Sequence, residues 1–318
     1  MTDKKINISI VVPVKNGIDT LERLIAGIKL QTWFQHIEVV VVDSGSTDGS
    51  LEYLKQFDFV NVISIDPKTF NHGATRNLAV QDCKGDLVLM TVQDAWTEDP
   101  HLLERMASHF EDQDVVGVVG HQKVPHIKGM NPHKWFRPVG TPKPKKIQFQ
   151  PEEFQALSGE QQAKYCRWDN VIAMYRKQAL LDMPFATTDF SEDLAWAKAA
   201  LSQGYALVSD QRNRVNHYHH AFPDYVLKRS FIELYSKKLI FNFADNKRVT
   251  FKTYMLTVIR NLKWNLHPKW IVFNFRVYNA QNKAHHLFHK ANKKGQKELD
   301  QLYKKLCGVI PQGSLKKK

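Results

Sequence analysis

The sequence predicts an α/β protein: a Rossmann-like, mostly parallel sheet flanked by helices, followed by a basic, mainly helical C-terminal region. Three observations carry this. Short apolar runs alternate with helix-patterned segments, and each run is apolar at every position, as a strand buried on both faces must be. Several of these runs end in a polar turn that carries a carboxylate, glycine or hydroxyl group. The charge is also uneven. The net +13 of the 318 residues divides into 21 Lys and Arg against 4 Asp and Glu from Val226 to Lys318, and 24 against 28 before that.

Taken in order, Asn7–Val14 (NISIVVPV) is the first strand. Lys15, Asn16 and Gly17 form a turn, and Asp19 is expected to N-cap a helix with Leu21, Leu24, Ile25 and Ile28 on its inner face. Ile37–Val42 is the second strand, running into the turn Asp43–Ser50 (DSGSTDGS). A helix over Leu51–Phe57 and a strand over Val60–Ile65 follow, then a helix over Gly73–Gln81. The stretch Asp82–Glu98 holds the next strand, beginning at Leu87, with Asp94 at its polar tip. Ligands of open α/β sheets bind outside the carboxyl ends of strands, so Asp43 and Asp94 are candidate functional carboxylates.

Val115–Val119 is a further strand. The chain then turns irregular, with five prolines between His121 and Phe149. A loop this long is functional or disordered, and Pro125–Glu160 reads as a lid or acceptor-side excursion. His121, His126 and His133 lack metal-ligand spacing and read as solvated loop residues. A strand passing into a helix follows Asn170. Ser191 is expected to cap a helix with Leu194, Ala195 and Ala199 inside, which puts Glu192 and Asp193 in its first turn. Val208 opens a short strand before Val215–His220, where alternation puts His217 and His219 on one side.

Beyond Asp224 the reading is of amphipathic helices. Leu227, Phe231, Leu234, Tyr235 and Leu239 share one face of the first, and Pro268 breaks a later one. No window supplies the ~18 apolar residues of a spanning helix. An interfacial contact with anionic lipid is expected instead, with Trp264, Trp270 and Tyr278 at the boundary. Lys316–Lys318 are expected to be disordered. The expected domains are 1–225, catalytic, with the excursion at about 121–160, and 226–318. Three widely spaced cysteines (Cys83, Cys166, Cys307) and the lack of a signal-peptide pattern point to a reducing cytoplasm.

Neither G-x-G-x-x-G nor G-x-x-x-x-G-K-[ST] occurs, which removes the main support for dehydrogenase and P-loop readings. In order and spacing, VVPVKNG, VVVDSGSTDGS, FNHGATRN and TVQDA resemble the catalytic domain of glycosyltransferase family 2, over roughly residues 7–235. Within that family, FNHGATRN with QDA is most similar to bacterial rhamnosyltransferases that take dTDP-L-rhamnose.

The resemblance implies a GT-A fold and a nucleotide-diphosphate-sugar donor. It implies that Pro13 and Lys15 line the nucleobase pocket and that Asp43 holds base and ribose. His72, Gly73 and Arg76 would close over the nucleotide. Asp94 would bind Mg²⁺ or Mn²⁺, helped by His217 or His219, with Gln93 standing where many relatives have an acid. Asp193 would be the general base of an inverting transfer, with Glu192 beside it. The implied function is transfer of a sugar, L-rhamnose foremost, onto a lipid-linked or polysaccharide acceptor by a peripheral protein at the inner face of the cell membrane. A UDP- or GDP-sugar donor is the nearest alternative. A nucleotidyltransferase lacks its Gly-rich loop here, and a nucleic-acid-binding protein would rest on the basic tail alone.

Overall fold

The computed structural model describes residues 7–135 and 143–308; Lys316–Lys318 lie outside them. The chain forms two compact units, the first of residues 1–123 and 139–217, the second of 124–138 and 218–318.

The first unit is built on one eight-stranded sheet, in the order β3-β2-β1-β4-β7-β5-β8-β6. The strands are β1 (Ile8–Val14), β2 (Ile37–Asp43), β3 (Val60–Ser64), β4 (Leu87–Thr91), β5 (Val115–Lys123), β6 (Lys145–Ile147), β7 (Ile172–Arg176) and β8 (Ala206–Asn216). Strands β1 to β4 pair in parallel, as does β5 with β8, whereas β7 and β6 run antiparallel to their neighbours. Every residue of β1 and β4 is buried. Pro13, inside β1, is tolerated because β4 pairs only with Ile8–Val11, so no donor is needed opposite the proline on that side.

The helices of this unit are α1 (Ile18–Lys29), α2 (Ser50–Leu54), α3 (His72–Asp82), α4 (Leu102–Ala107), α5 (Pro151–Ala156), α6 (Gly159–Tyr165), α7 (Lys177–Asp182) and α8 (Glu192–Ser202). Leu21, Leu24, Ile25 and Ile28 of α1 are buried as expected, but the N-cap is Gly17, and Asp19 lies in the first turn. The cap comes from the neighbouring loop instead: Gly17 N–H donates to Ser50 Oγ (2.9 Å) and Ile18 N–H to Asp48 Oδ2 (3.1 Å).

On α8 the inner face is Trp196, Ala197, Ala200 and Leu201, with Glu192, instead of Leu194, Ala195 and Ala199. Trp196 sets this rotation; it is buried, and its indole N–H donates to Met183 O (2.8 Å). Ser191 holds the N-cap position in the left-handed region (φ 66°) and makes no side-chain cap.

The second unit holds α9 (Pro223–Phe241), α10 (Phe251–Lys263), α11 (Lys269–Lys294) and α12 (Gln296–Leu306). Phe231 of α9 packs edge-on against Phe288 of α11 (6.0 Å between centroids). Leu234 and Ile232 are buried beside Phe231, but Leu239, expected on the same face, is 56% exposed. Trp270 is buried and the Tyr278 hydroxyl bonds to Thr257 Oγ1 (2.9 Å), so both rings are engaged within the unit and are not free for a lipid boundary. His133 bonds to Asn261 Oδ1 (3.0 Å) and is therefore not a solvated loop residue, whereas His126, which stacks on Trp135, is exposed in its loop as expected. Among the described residues no helix is long and apolar enough to cross a membrane.

Candidate active site

At the carboxyl end of the sheet the loops after β1, β2 and β4 are laced together. Asp43, the last residue of β2, is buried, and its carboxylate accepts from Gly45 N–H (2.9 Å) and Ser46 N–H (3.1 Å). Its own turn therefore fixes it while lone pairs remain for a further donor. Lys15 Nζ donates to Ser44 O (2.7 Å). Gln93 uses both ends of its amide on one residue: Oε1 accepts from Lys15 N–H (2.7 Å), and Nε2 donates to Lys15 O (3.2 Å). A carboxylate at this position has no donor for the second bond, so the exchange with Lys15 requires an amide. Gly17 makes room, since a Cβ there would stand 2.9 Å from Gln93 Cδ.

The second cluster joins α3 to α8. Asn71 caps α3 through Gly73 and Ala74 N–H and donates to Thr188 O (2.9 Å); Asn77 exchanges two bonds with the backbone of Phe185. A Cβ on Gly73 would lie 2.2 Å from Ala186 O, so only glycine admits this approach. His72, the first residue of α3, sets its ring edge-on to Phe70 (5.0 Å). Arg76 is buried, and its Nη1 donates to Glu192 Oε1 (2.8 Å) and His72 O (3.1 Å).

Asn170, just before β7, donates from Nδ2 to Glu192 Oε1 (3.1 Å), and its own Oδ1 accepts from the Tyr175 hydroxyl. That hydroxyl accepts from the Trp168 indole (2.7 Å). Asp193 accepts from Leu194 N–H (2.8 Å) and faces Asn170 N–H (3.4 Å).

The two adjacent carboxyls are driven apart. Burial, then the charges of Glu192 and Asp169, push Asp193 well above the usual aspartate range. Burial also works to raise Glu192, but the charges of Arg76 and His72 and the Asn170 bond outweigh it and hold Glu192 low.

The third cluster sits where β4 and β8 end. Trp96 and Asn216 exchange backbone hydrogen bonds (3.1 and 2.7 Å), which brings the turn after β4 against the end of β8. His217 Nε2 consequently lies 3.4 Å from Asp94 Oδ1. The other ring nitrogen, Nδ1, is 2.9 Å from Gln122 Oε1, and Gln122 in turn donates to Asp169. Donation from Nδ1 to Gln122 leaves the Nε2 lone pair facing Asp94. His219 follows two residues along the chain, and ligating atoms of Asp94, His217 and His219 all lie within 4.8 Å of one another. One carboxylate oxygen and two imidazole nitrogens are a chemically sound donor set for a divalent cation of intermediate softness.

The three clusters share one edge of the sheet. Asp43 ends β2, Asp94 follows β4, and His217 follows β8. Thr91, the last residue of β4, pairs with Ile172, the first of antiparallel β7. Asn170 and the carboxyls it meets therefore stand at the same edge.

Sequence reasoning gave no role to Gln122, Asp169 or Asn170. Their only signal was a polar Trp-Asp-Asn run before an apolar strand and a glutamine near the end of another. Asp48, which ties the second loop to α1, was legible only as part of a small polar turn.

Residues 9–177, more than half of the chain, match the sequence model of Glycosyl transferase family 2. The O-antigen chain rhamnosyltransferase RfbN of Salmonella typhimurium is 27% identical over 227 residues, covering 70% of each chain. The O-antigen chain rhamnosyltransferase WbaN of Salmonella anatum is 30% identical over 204 residues, 62% of this chain and 61% of its own. In fold, the chain is similar to the mannosyltransferase PcManGT of Pyrobaculum calidifontis, solved with GDP-Man and Mn²⁺. The TM-score is 0.56 at 16% identity, with 94% of this chain and 79% of that one covered. S. aureus TarS 1–349 in complex with UDP follows at a TM-score of 0.50 and 15% identity, covering 89% and 91%. The α/β fold with its mostly parallel sheet is that of these GT-A neighbours, and the chain is a glycosyltransferase belonging to glycosyl transferase family 2.

Proposed function

We propose that the enzyme transfers L-rhamnose from dTDP-L-rhamnose, with inversion, onto a lipid-linked or polysaccharide acceptor in cell-surface glycan synthesis. The observation that carries this reading is geometric: at the start of α8, Glu192 is tied down by Arg76 and Asn170, and Asp193 stands beside it at the same edge of the sheet as Asp43 and Asp94. The donor assignment is supported by the similarity to RfbN and WbaN.

In this reading Asp193, when ionised, takes the proton of the acceptor hydroxyl as its oxygen attacks the anomeric carbon. The bond from that carbon to the diphosphate breaks, and the nucleoside diphosphate leaves with the electron pair. A carboxylate with a raised proton affinity is the better base for this step. Glu192 stays ionised and is held by Arg76, so Arg76 acts through Glu192 and not on the pyrophosphate. Asp43 offers its remaining lone pairs to the nucleoside; Pro13 and Lys15 border the same loop, and His72 and Gly73 begin the helix beside it. Gln93 serves by fixing the Lys15 backbone.

Asp94, His217 and His219 would hold a divalent cation, and the mixed oxygen and nitrogen donors favour Mn²⁺ over Mg²⁺. When bound, such an ion neutralises charge developing on the leaving diphosphate. The working place in this reading is the inner face of the cell membrane, where the enzyme is a peripheral protein in contact with anionic lipid.

Thermal-shift titration of dTDP-L-rhamnose against UDP- and GDP-sugars, with Mn²⁺ present, tests the donor. A selective rise with dTDP-L-rhamnose is expected. A larger rise with a UDP- or GDP-sugar would replace the donor, and retention of configuration in the product would remove the base role.

A further inference from the structure

One helix of the second unit has its polarity reversed. On α10 the buried positions are polar: Thr257 is 3% and Asn261 2% exposed. Both are held there, Thr257 by the Tyr278 hydroxyl, and Asn261 by His133 and Leu266 O. The outward side carries Phe251 at 78% exposure, Leu262 at 72%, Ile259 at 52% and Met255 at 44%. At 100° per residue these four fall within an arc of about 80°. Lys252 and Lys263 border the arc, and Arg260 lies beyond them on the same side. A surface helix of a globular protein points its apolar stripe inward, so a stripe of large side chains aimed at water marks a contact surface.

The charge around it narrows the partner. No Asp or Glu occurs between Asp245 and Glu298. A second copy docking arc to arc about a two-fold axis would bring like cations together. An anionic bilayer is complementary in both respects, with apolar tails for the arc and phosphates for the border. The helix has 13 residues, about 20 Å at 1.5 Å per residue, and so suits lying in the interface and not crossing it.

We propose that α10 inserts the Phe251–Met255–Ile259–Leu262 arc into an anionic lipid surface, with Lys252, Arg260 and Lys263 on the headgroup phosphates. This rests on the peripheral-membrane part of the proposed function and replaces Trp264, Trp270 and Tyr278 as the contact.

Sedimentation of the full chain with vesicles of phosphatidylcholine, alone or with roughly 30% phosphatidylglycerol, tests it. Binding to the anionic vesicles is expected, weakened at least about tenfold by Phe251→Ser with Leu262→Ser. Gln at Lys252, Arg260 and Lys263 should cost about fivefold per cation and remove most of the salt dependence. Leu239→Ser, an exposed apolar residue on α9, should bind as the parent does. If the parent binds and the arc variant binds equally well, the assignment to α10 is overturned while membrane contact stands. If the parent ignores anionic vesicles, both fail, and donor binding measured without vesicles still judges the transferase reading. Self-association that the arc variant abolishes, without vesicle binding, would assign the face to a second copy and overturn the proposal.

Discussion

Arg76 and Glu192 form an ion pair 2.8 Å long between side chains that are 5% and 7% exposed. It joins α3 to α8 across 116 residues of sequence. Neither helix is held there by apolar packing alone, because Gly73 and Asn77 add backbone contacts on the same side. Breaking such a pair from one side strands a buried charge. Arg76→Met is expected to cost about 3–5 kcal/mol, and Arg76→Met with Glu192→Leu to recover part of it; urea unfolding reads both. Because Glu192 is held low, its contribution is present above the ordinary glutamate value and disappears as pH falls through the folded one. The gap between parent and double variant should therefore close in acid.

Asp193 behaves in the opposite sense. Its carboxyl is raised, so what the fold favours is the protonated form. That stabilisation is complete below the ordinary aspartate value of about 4 and is lost as pH rises through the folded value. Asp193→Asn, which cannot ionise, should melt higher than the parent above about pH 4, and the difference should widen with pH. It should also lower kcat by about 10²–10⁴ with donor affinity unchanged. Unchanged turnover would remove Asp193 as the base.

Gln93 yields a prediction that family likeness alone would miss. Gln93→Glu introduces an acid beside Asp94, yet it loses the donation to Lys15 O and sets a carboxylate against a carbonyl. A loss of about 1–2 kcal/mol is expected, with no gain in Mn²⁺ affinity by calorimetry. Tighter metal binding in Gln93→Glu would mean that the amide replaces a ligand.

The strands and two of the carboxylates were legible because burial on both faces and polar strand ends leave marks in composition. Asp43 and Asp94 were singled out in this way, Asp193 by its place in the first turn of a helix and by the resemblance to glycosyltransferase family 2, and all three stand at one edge of the sheet. Strand direction leaves no such mark. Ile172–Arg176 is as apolar in an antiparallel β7 as it would be in a parallel one, so the placement of Asn170 beside Glu192 could not be read. The face of α8 was hidden for a related reason: alanines on both sides give little contrast, and Trp196 alone decides the rotation. Gln93, Gln122 and Arg76 act through partners about 50 to 120 residues away, which no local pattern encodes. On α10 the apolar periodicity was visible, but which side it faced was settled by contacts from Tyr278 and His133.

Gly73 is the most constrained point between α3 and the approach to α8. Gly73→Ala places a methyl 2.2 Å from a backbone oxygen, which no side-chain rotation relieves. Overpacking of this kind costs about 1–3 kcal/mol. The segment that yields leads into Glu192 and Asp193, so kcat should fall further than stability alone explains. Melting and turnover measured together check this; a variant that melts lower with normal kcat would show α8 to be positioned independently of α3.

The imidazole of His217 is oriented by Gln122, and Gln122 by Asp169. A ligand's affinity depends on the group that fixes its tautomer, so two tiers of effect are expected. Asp94→Ala or His217→Ala should abolish stabilisation by Mn²⁺ in a thermal-shift titration. Gln122→Ala leaves every ligand in place yet frees the ring to rotate and to carry its proton on either nitrogen, and should weaken Mn²⁺ by about 10–100-fold. Chelator treatment should bring the parent down to the Asp94→Ala melting point and leave that variant unmoved. Equal Mn²⁺ affinity in Gln122→Ala and parent would show the Gln122 bond to be structural only. A Mn²⁺ response surviving in Asp94→Ala would place the cation elsewhere.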